Sequence, residues 1–532
     1  WFPWLWPVFN QVFMFVYLAV WLRRSNVSTG AEWILTRFGN NASAQRAHKT
    51  VTAFAIISSL AFMAYGFVGI GKFLDTILPI NHFSHYFLFA LPAFVQPYFY
   101  GIILTIIATT YAILGGMASI VWADVIQYIL MVIASIIIAA IAMTALSGQN
   151  LSVPEEWNQL FFSWNLNLHW PQSLEAANQK IAYDNFKPFG LFFSLMAAKG
   201  ILSSLAGSPP SYDMQKILST KSPREAALAS MFVNVVLLPT RYLMIAGFTV
   251  LGILHFQELQ IQGVNGHPLD FEKILPAVMI KFAPPGILGL FIVELLAAFM
   301  GTFAGTLNAA QAYIVNDIYL KSVNPNADNK KISYVNYFTG ITVALLSIIL
   351  GIFTESVNAL LQWIVGALFS GYLASNLLKW YWWRFNGDGF FWGMVLGILA
   401  ALILPLLFPD AVALFYFPVI LIFSLLGAIG GTLSTPPTPN AVLTQFYKTV
   451  NPWGFWKPVK KQVMLDDHTF KPNDRFKLDM FNVSIGTIAQ TSISVLPVFI
   501  VLLMPISSLW TGFILLLCIL ILRRTWYDKL PR

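Results

Sequence analysis

The chain has 532 residues, of which 57% are hydrophobic and only 10% charged, whereas a soluble domain carries roughly 25% charged residues; a string of soluble domains is excluded. The formal charge of +8 does not point to nucleic acid, because the basic residues lie in short loops between apolar runs. A single cysteine, Cys518, excludes a disulfide framework or a cysteine metal site within one chain.

A membrane-spanning helix needs about 20 apolar residues. Thirteen such spans are predicted, at 4–22, 51–78, 94–113, 119–146, 188–210, 229–255, 287–320, 332–353, 357–379, 390–408, 412–432, 482–504 and 507–523. The chain opens on Trp1 inside an apolar run, with no Met and no cleavage-site pattern. No signal peptide is read, and the natural N-terminus is expected upstream.

Orientation follows from Lys and Arg in the short loops. Arg23, Arg24, Arg37, Arg46 and Lys49 follow the first span. Lys216, Lys221 and Arg224 follow the fifth, and Lys321, Lys330 and Lys331 the seventh. The stretch 434–481 and the C-terminal tail are basic as well. With simple alternation of the spans all of these share one side, which places the C-terminus in the cytoplasm. The loops 147–187 and 256–286 then face outward, the second with a short helix at 269–282 that Pro284 and Pro285 stop. No soluble enzyme domain is present, so an enzyme is not expected.

Ionisable residues at membrane depth are costly and mark functional candidates. Asp124, in the fourth span, can attract a cation or pair with a loop base. Lys199, in the fifth, can anchor a carboxylate or hydroxyl-rich solute or pair with Glu294. Arg241 pairs structurally or reaches toward the interface. Ala206-Gly207-Ser208-Pro209-Pro210 interrupts the fifth span, since two prolines remove two backbone donors. Carbonyls freed by such breaks bind ions and substrates in transporters; the alternative is a plain helix end. In the seventh span Glu294, Ala298, Thr302 and Thr306 recur every four residues and share one face. That face offers hard oxygen donors to an alkali cation, or is a packed seam of small residues.

Four segments resemble the sodium/solute symporter family. They are Ser28-Thr29-Gly30-Ala31-Glu32-Trp33 with Arg37-Phe38-Gly39, the run Gly115 to Gln127, the run Gln215 to Ser222, and Ala297 to Asn308 followed by Asn316-Asp317-Ile318-Tyr319. Tyr381 to Asn386 is similar to a bacterial branch without a defined substrate. The resemblance implies an all-α polytopic membrane protein with LeuT-type inverted five-helix repeats and extra C-terminal helices. It divides the chain into a first repeat at 1–146, an outer loop at 147–187 and a second repeat at 188–379. Additional helices at 380–432, a cytoplasmic segment at 433–481 and a C-terminal hairpin at 482–532 follow. The first core helix and the one before it have no counterpart, so N-terminal helices are expected to be missing.

By the same resemblance sodium binds at the Ala298 carbonyl, Gly301 and the Thr302 hydroxyl, with Asp124 on the ion's route. Gly301 replaces the usual Ser and offers no hydroxyl. The Asn-Tyr-Tyr-Trp of sugar-transporting members is replaced near Ser203-Ser204-Leu205-Ala206. Lys199, Ser203, Ser208, Lys72 and Gln362 are the candidate substrate contacts. The expected function is a sodium-coupled symporter importing a small polar solute, sugar or sugar-like, by alternating access across the bacterial inner membrane. Sodium serves as coupling ion without a further cofactor, and 434–481 can dock a protein partner. A non-transporting scaffold or sensor subunit and a sodium-independent facilitator are the alternatives.

Overall fold

The computed structural model describes residues 11–80, 98–149, 187–259, 271–354, 363–408 and 411–531, with isolated positions between them. It is helical: among the described residues no strand forms, and one parallel bridge joins Trp382 and Phe455. Among the same residues ten helices are long and apolar enough to cross a membrane. The other three expected spans are 4–22, described from residue 11; 94–113, seen as the apolar stretch Phe99–Gly115; and 357–379, described as a run from residue 363.

The chain begins with α1, a π-helical turn Met14–Leu18 continuing as Ala19–Arg24. Helix α2 (Gly30–Phe38) starts where the Thr29 side chain accepts from the Glu32 backbone N–H. Glu32 in turn accepts from the Ser28 N–H at 2.7 Å, so two of the donors that a helix start leaves open are satisfied. Asn41 caps α3 (Ala42–Ile77) in the same way. Helix α4 covers Phe99–Leu146.

Helical geometry in α4 runs through 114–118, where the sequence suggests a gap between spans. Straight, its 48 residues would reach ~72 Å, over twice the ~30 Å hydrocarbon core. Its contacts show that it folds back. Gly101 lies against Phe67, in the far half of α3, and Ile138 against Gly247, equally far along α7 (Pro223–Leu254). Between them Ile113 meets Gly340 in α10 (Asn329–Ile352) beside Gln311. Both ends of α4 therefore lie at one end of the bundle and its middle toward the other.

The fifth expected span ends early. Helix α5 (Phe189–Ala206) stops at Gly207, whose φ of +81° suits a residue without a Cβ. Five residues later α6 (Tyr212–Leu218) begins. The short α8 (Ile274–Phe282) stops just before Pro284-Pro285, and α9 (Pro285–Ala312) continues as a π-helix, Tyr313–Val323. Helix α11 (Phe369–Tyr381) follows a π-turn, Trp363–Leu368. Helices α12 (Gly387–Leu407) and α13 (Phe417–Leu433) pack closely on it. A Cβ on Gly397 would lie 2.5 Å from the Gly371 carbonyl oxygen, so this crossing needs glycine for its backbone approach.

The stretch expected to serve as a docking segment is folded onto the bundle. Helices α14 (Asn440–Val450) and α15 (Lys457–Asp466) bury Leu443, Phe446, Tyr447, Val450, Trp456, Val459 and Val463. Helices α16 (Phe476–Val501) and α17 (Pro505–Thr525) complete the chain. The basic loops meet one another at one end of the molecule. Arg23 donates to the Thr220 carbonyl, Arg24 to that of Val450 at 3.2 Å and Arg475 to that of Lys529 at 3.3 Å, while Arg46 pairs with Asp388.

Candidate functional site

The break after α5 opens into a cavity of about 170 Å³. Helix α5 contributes Lys199 and Ser203, the link contributes Ser208 and Ser211, and α6 contributes Asp213. Helix α11 supplies Phe369, Tyr372 and Asn376 on the other side, and Phe62 of α3 closes the wall. Three of the five expected substrate contacts, Lys199, Ser203 and Ser208, thus share one cavity. Lys72 does not join them: it lies toward the far end of α3, where its Nζ donates to Glu272 at 2.9 Å. Gln362 lies outside the described residues.

Lys199 is 5% exposed and its ammonium lies 5.8 Å from the Phe417 ring centre. Its alternative partner, Glu294, is buried separately, and Glu294 Oε2 meets no hydrogen-bond donor. The pairing weighed from sequence is not formed.

The carbonyls freed at the break each accept a bond from within the protein. Helix α11 takes them one by one. Tyr381 donates to the Leu205 carbonyl at 2.7 Å, Trp380 Nε1 to Ala206 at 3.0 Å, and Asn376 Nδ2 to Gly207 at 3.2 Å. The reason is physical: a helix end inside a bundle loses water as a partner and must find donors in the protein. Tyr372 donates to Asn376 Oδ1 at 2.8 Å and accepts from Lys379 Nζ at 3.4 Å, which fixes the asparagine. Lys379 itself lies 4.4 Å from the Trp33 ring centre. Tyr381 opens the run already noted in the sequence, but Asn376 and Tyr372 read as part of one more apolar helix; an Asn and a Lys three apart in it were the available signal.

Helix α9 carries the expected ion contacts. Ala298 and Thr302 are exposed and Gly301 is buried. A Cβ built on Gly301 would sit 2.7 Å from Asp124 Oδ1 and 2.6 Å from Gln127 Oε1. Two polar side chains of α4 reach into the space beside Gly301. Asp124 also accepts from Lys216 Nζ of α6 at 3.2 Å, the loop-base pairing that the sequence left open. The acid therefore touches both α9 and the segment beyond the break.

Toward the basic end, Asp317 gathers three partners from separate elements. Thr29 Oγ1 donates to Oδ2 at 2.9 Å, while His48 Nε2 and Lys321 Nζ meet Oδ1 at 2.8 and 3.0 Å. Arg37, fully buried, donates to the carbonyls of Lys379, Trp382, Trp383 and Phe385 at 3.0–3.4 Å. Its guanidinium stacks on Phe446 and Trp456. Burial pulls its pKa down to about 9, so it stays charged at neutral pH. Among the described residues no group of His, Cys, Asp and Glu could hold a metal of the multidentate kind.

Residues 2–397 match the sodium:solute symporter family. The chain belongs to this family. Sodium:solute symporters are transporters, not enzymes, and this one is a multi-pass membrane protein. Solute carrier family 5 member 4B of Mus musculus is 22% identical over 504 residues, covering 86% of this chain and 70% of that protein. The sodium/glucose cotransporter 1 of Oryctolagus cuniculus is 22% identical, covering 74% and 58%. The sodium/pantothenate symporter of Haemophilus influenzae is 24% identical, covering 64% and 62%. The chain spans about 58–70% of the length of these relatives. A solved Na+-coupled sialic acid symporter, in a substrate-bound outward-open state, superposes with a TM-score of 0.55 at 17% identity, over 82% of this chain and 84% of that one. The shared fold is that of LeuT-type symporters.

Proposed function

We propose that the chain is a sodium-coupled symporter that imports a small polar organic solute by alternating access. One observation carries the reading: the cavity at the α5 break adjoins α6, whose Lys216 is bonded to Asp124, and Asp124 packs on Gly301 of the ion-site helix. Solute cavity and ion site are thus linked through one side-chain pair. Sodium would be held by the Ala298 carbonyl, Gly301 and the Thr302 hydroxyl, and the solute by Lys199, Ser203 and Ser208. Ion and solute that stabilise the same conformation are coupled by that fact alone.

The named solutes of the relatives are glucose and pantothenate, and that of the structural neighbour is sialic acid. A polar solute is common to them, and a sugar-like one is the finer reading. The protein is placed in the bacterial inner membrane with the basic end and C-terminus in the cytoplasm, following the positive-inside rule. The repeats are assigned to 1–146 and 188–379. A protein partner would meet the exposed lysines 448, 457 and 461 of the folded 434–481 segment.

Uptake of a radiolabelled solute panel into proteoliposomes under an inward sodium gradient tests the function. Uptake that is unchanged when choline replaces sodium would favour a facilitator, the second reading, for which the missing hydroxyl at Gly301 speaks.

A further inference from the structure

The basic end of the molecule holds a patch that solute transport does not use. Cations from separate parts of the chain meet around the turn Tyr527–Lys529 that follows α17. Arg475 donates to the Lys529 carbonyl at 3.3 Å, and the Arg224 guanidinium lies 5.1 Å from the Tyr527 ring centre. Arg24 donates to the Val450 carbonyl at 3.2 Å. Its pKa is pulled down, first by burial and then by repulsion from nearby Arg475. Trp526 Nε1 donates to the Phe15 carbonyl at 3.1 Å, which pins the turn to α1. Among the described residues, none of Arg24, Arg224, Arg475 and Lys529 forms an ion pair with an acid.

Helix capping accounts for part of this charge only. Arg23 and Arg24 close α1, and Arg523 and Arg524 close α17, where the helix dipole favours cations. Arg224 lies in the first turn of α7 and Arg475 at the N-cap of α16, where the same dipole opposes them. The neighbouring acids are mostly engaged. Glu225 accepts from the Lys221 N–H, Asp474 pairs with Lys460, and buried Asp479 accepts from Trp453 Nε1. Exposed Asp528 remains beside the cations. Two helix N-termini and several cations at one spot suit an anion with several acceptor oxygens, above all a phosphate.

The setting makes that phosphate part of a lipid. Helices α7 and α17 run from the patch into the bilayer span with apolar side chains outward: Phe232 and Val233 are 63% and 45% exposed, and Leu516 and Leu520 are 53% and 50% exposed. A headgroup held at the patch would lay its acyl chains along such faces, with Tyr527 at the level of the interface.

We propose that the patch formed by Arg24, Arg224, Arg475 and Lys529 binds the phosphate headgroup of an anionic phospholipid. The proposal stands apart from sodium coupling and from the identity of the solute.

The test uses the full chain in nanodiscs of phosphatidylcholine alone and of phosphatidylcholine with phosphatidylglycerol in equal parts. Thermal unfolding is the readout, because a ligand of the native state raises the unfolding temperature by mass action. Phosphatidylglycerol is expected to raise it, and added salt to shrink the rise. Arg475→Gln and Lys529→Gln, both at exposed side chains, should each lose most of the rise while unfolding close to the parent in phosphatidylcholine. Lys461→Gln, at an exposed position of α15, should keep it. A rise that all three substitutions diminish alike is attraction to the basic end as a whole, and overturns the site. Equal stabilisation by glycerophosphate added to phosphatidylcholine discs overturns the lipid as the source of the phosphate. The same unfolding temperature in both kinds of disc overturns the proposal outright.

Discussion

Gln127 Oε1 lies 2.6 Å from the point where a side chain at Gly301 would begin. No ordinary Cβ contact is that short, so a side chain at 301 requires the far ends of Gln127 and Asp124 to turn aside.

Gly301→Ser should therefore destabilise the protein only mildly, by up to about 1 kcal/mol, because the ends of two flexible side chains must turn aside. Gln127→Ala in the same chain should recover most of the loss. Thermal unfolding of the single and double variants in nanodiscs reads both, and a Gly301→Ser chain as stable as the parent would refute the packing argument.

Asp124→Asn removes the partner of Lys216. Both side chains are partly exposed, 31% and 43%, so the stability cost should stay below ~1 kcal/mol. Sodium affinity should fall by ~10-fold, since a carboxylate beside the proposed ion site is replaced by an amide. Sodium titration of the unfolding temperature measures this. Thr302→Val should abolish the sodium response while leaving the unfolding temperature in choline nearly unchanged.

Asn376→Ala leaves the Gly207 carbonyl without its donor. A loss of ~1–3 kcal/mol is expected, together with faster thiol labelling of Ser208→Cys at the cavity wall. The single native cysteine, Cys518, is 5% exposed and gives little background. Equal labelling rates with and without the asparagine would contradict its role in closing the break.

Arg37→Lys should cost about 3 kcal/mol despite keeping the charge, because a lysine cannot reach four carbonyls from one planar fork. Helices α14 and α15 should become protease-sensitive before the rest of the chain unfolds. Limited proteolysis followed by mass analysis is the check.

Much of the fold was legible because lipid imposes it. Apolar length marks the spans, and the basic loops that alternation places together do touch, as Arg23 does Thr220 and Arg24 does Val450. The reversal within α4 was legible too, as the separate spans 94–113 and 119–146 in alternation; what the sequence did not show was that helical geometry runs on through 114–118 between them. The cavity was legible in part. Lys199 and the proline pair drew attention to the break, but Asp213 looked like an ordinary loop acid. The task of Asn376, Trp380 and Tyr381 was hidden because it depends on a helix end about 170 residues away. Lys72 lies apart from the cavity for a similar reason: its partner, Glu272, comes from a segment 200 residues away.

The three bonds from α11 to the end of α5 bear on which parts travel together. Separating the two helices would strip three carbonyls of their donors at once, in surroundings that hold little water to replace them. Keeping them joined costs nothing. Any rearrangement that exposes the cavity first to one face of the membrane and then to the other is thus cheapest if the last turns of α5 and α11 move as a single rigid piece. The sliding surfaces then lie elsewhere, at the half-exposed Asp124–Lys216 contact, where water can pair with both charges during the stroke.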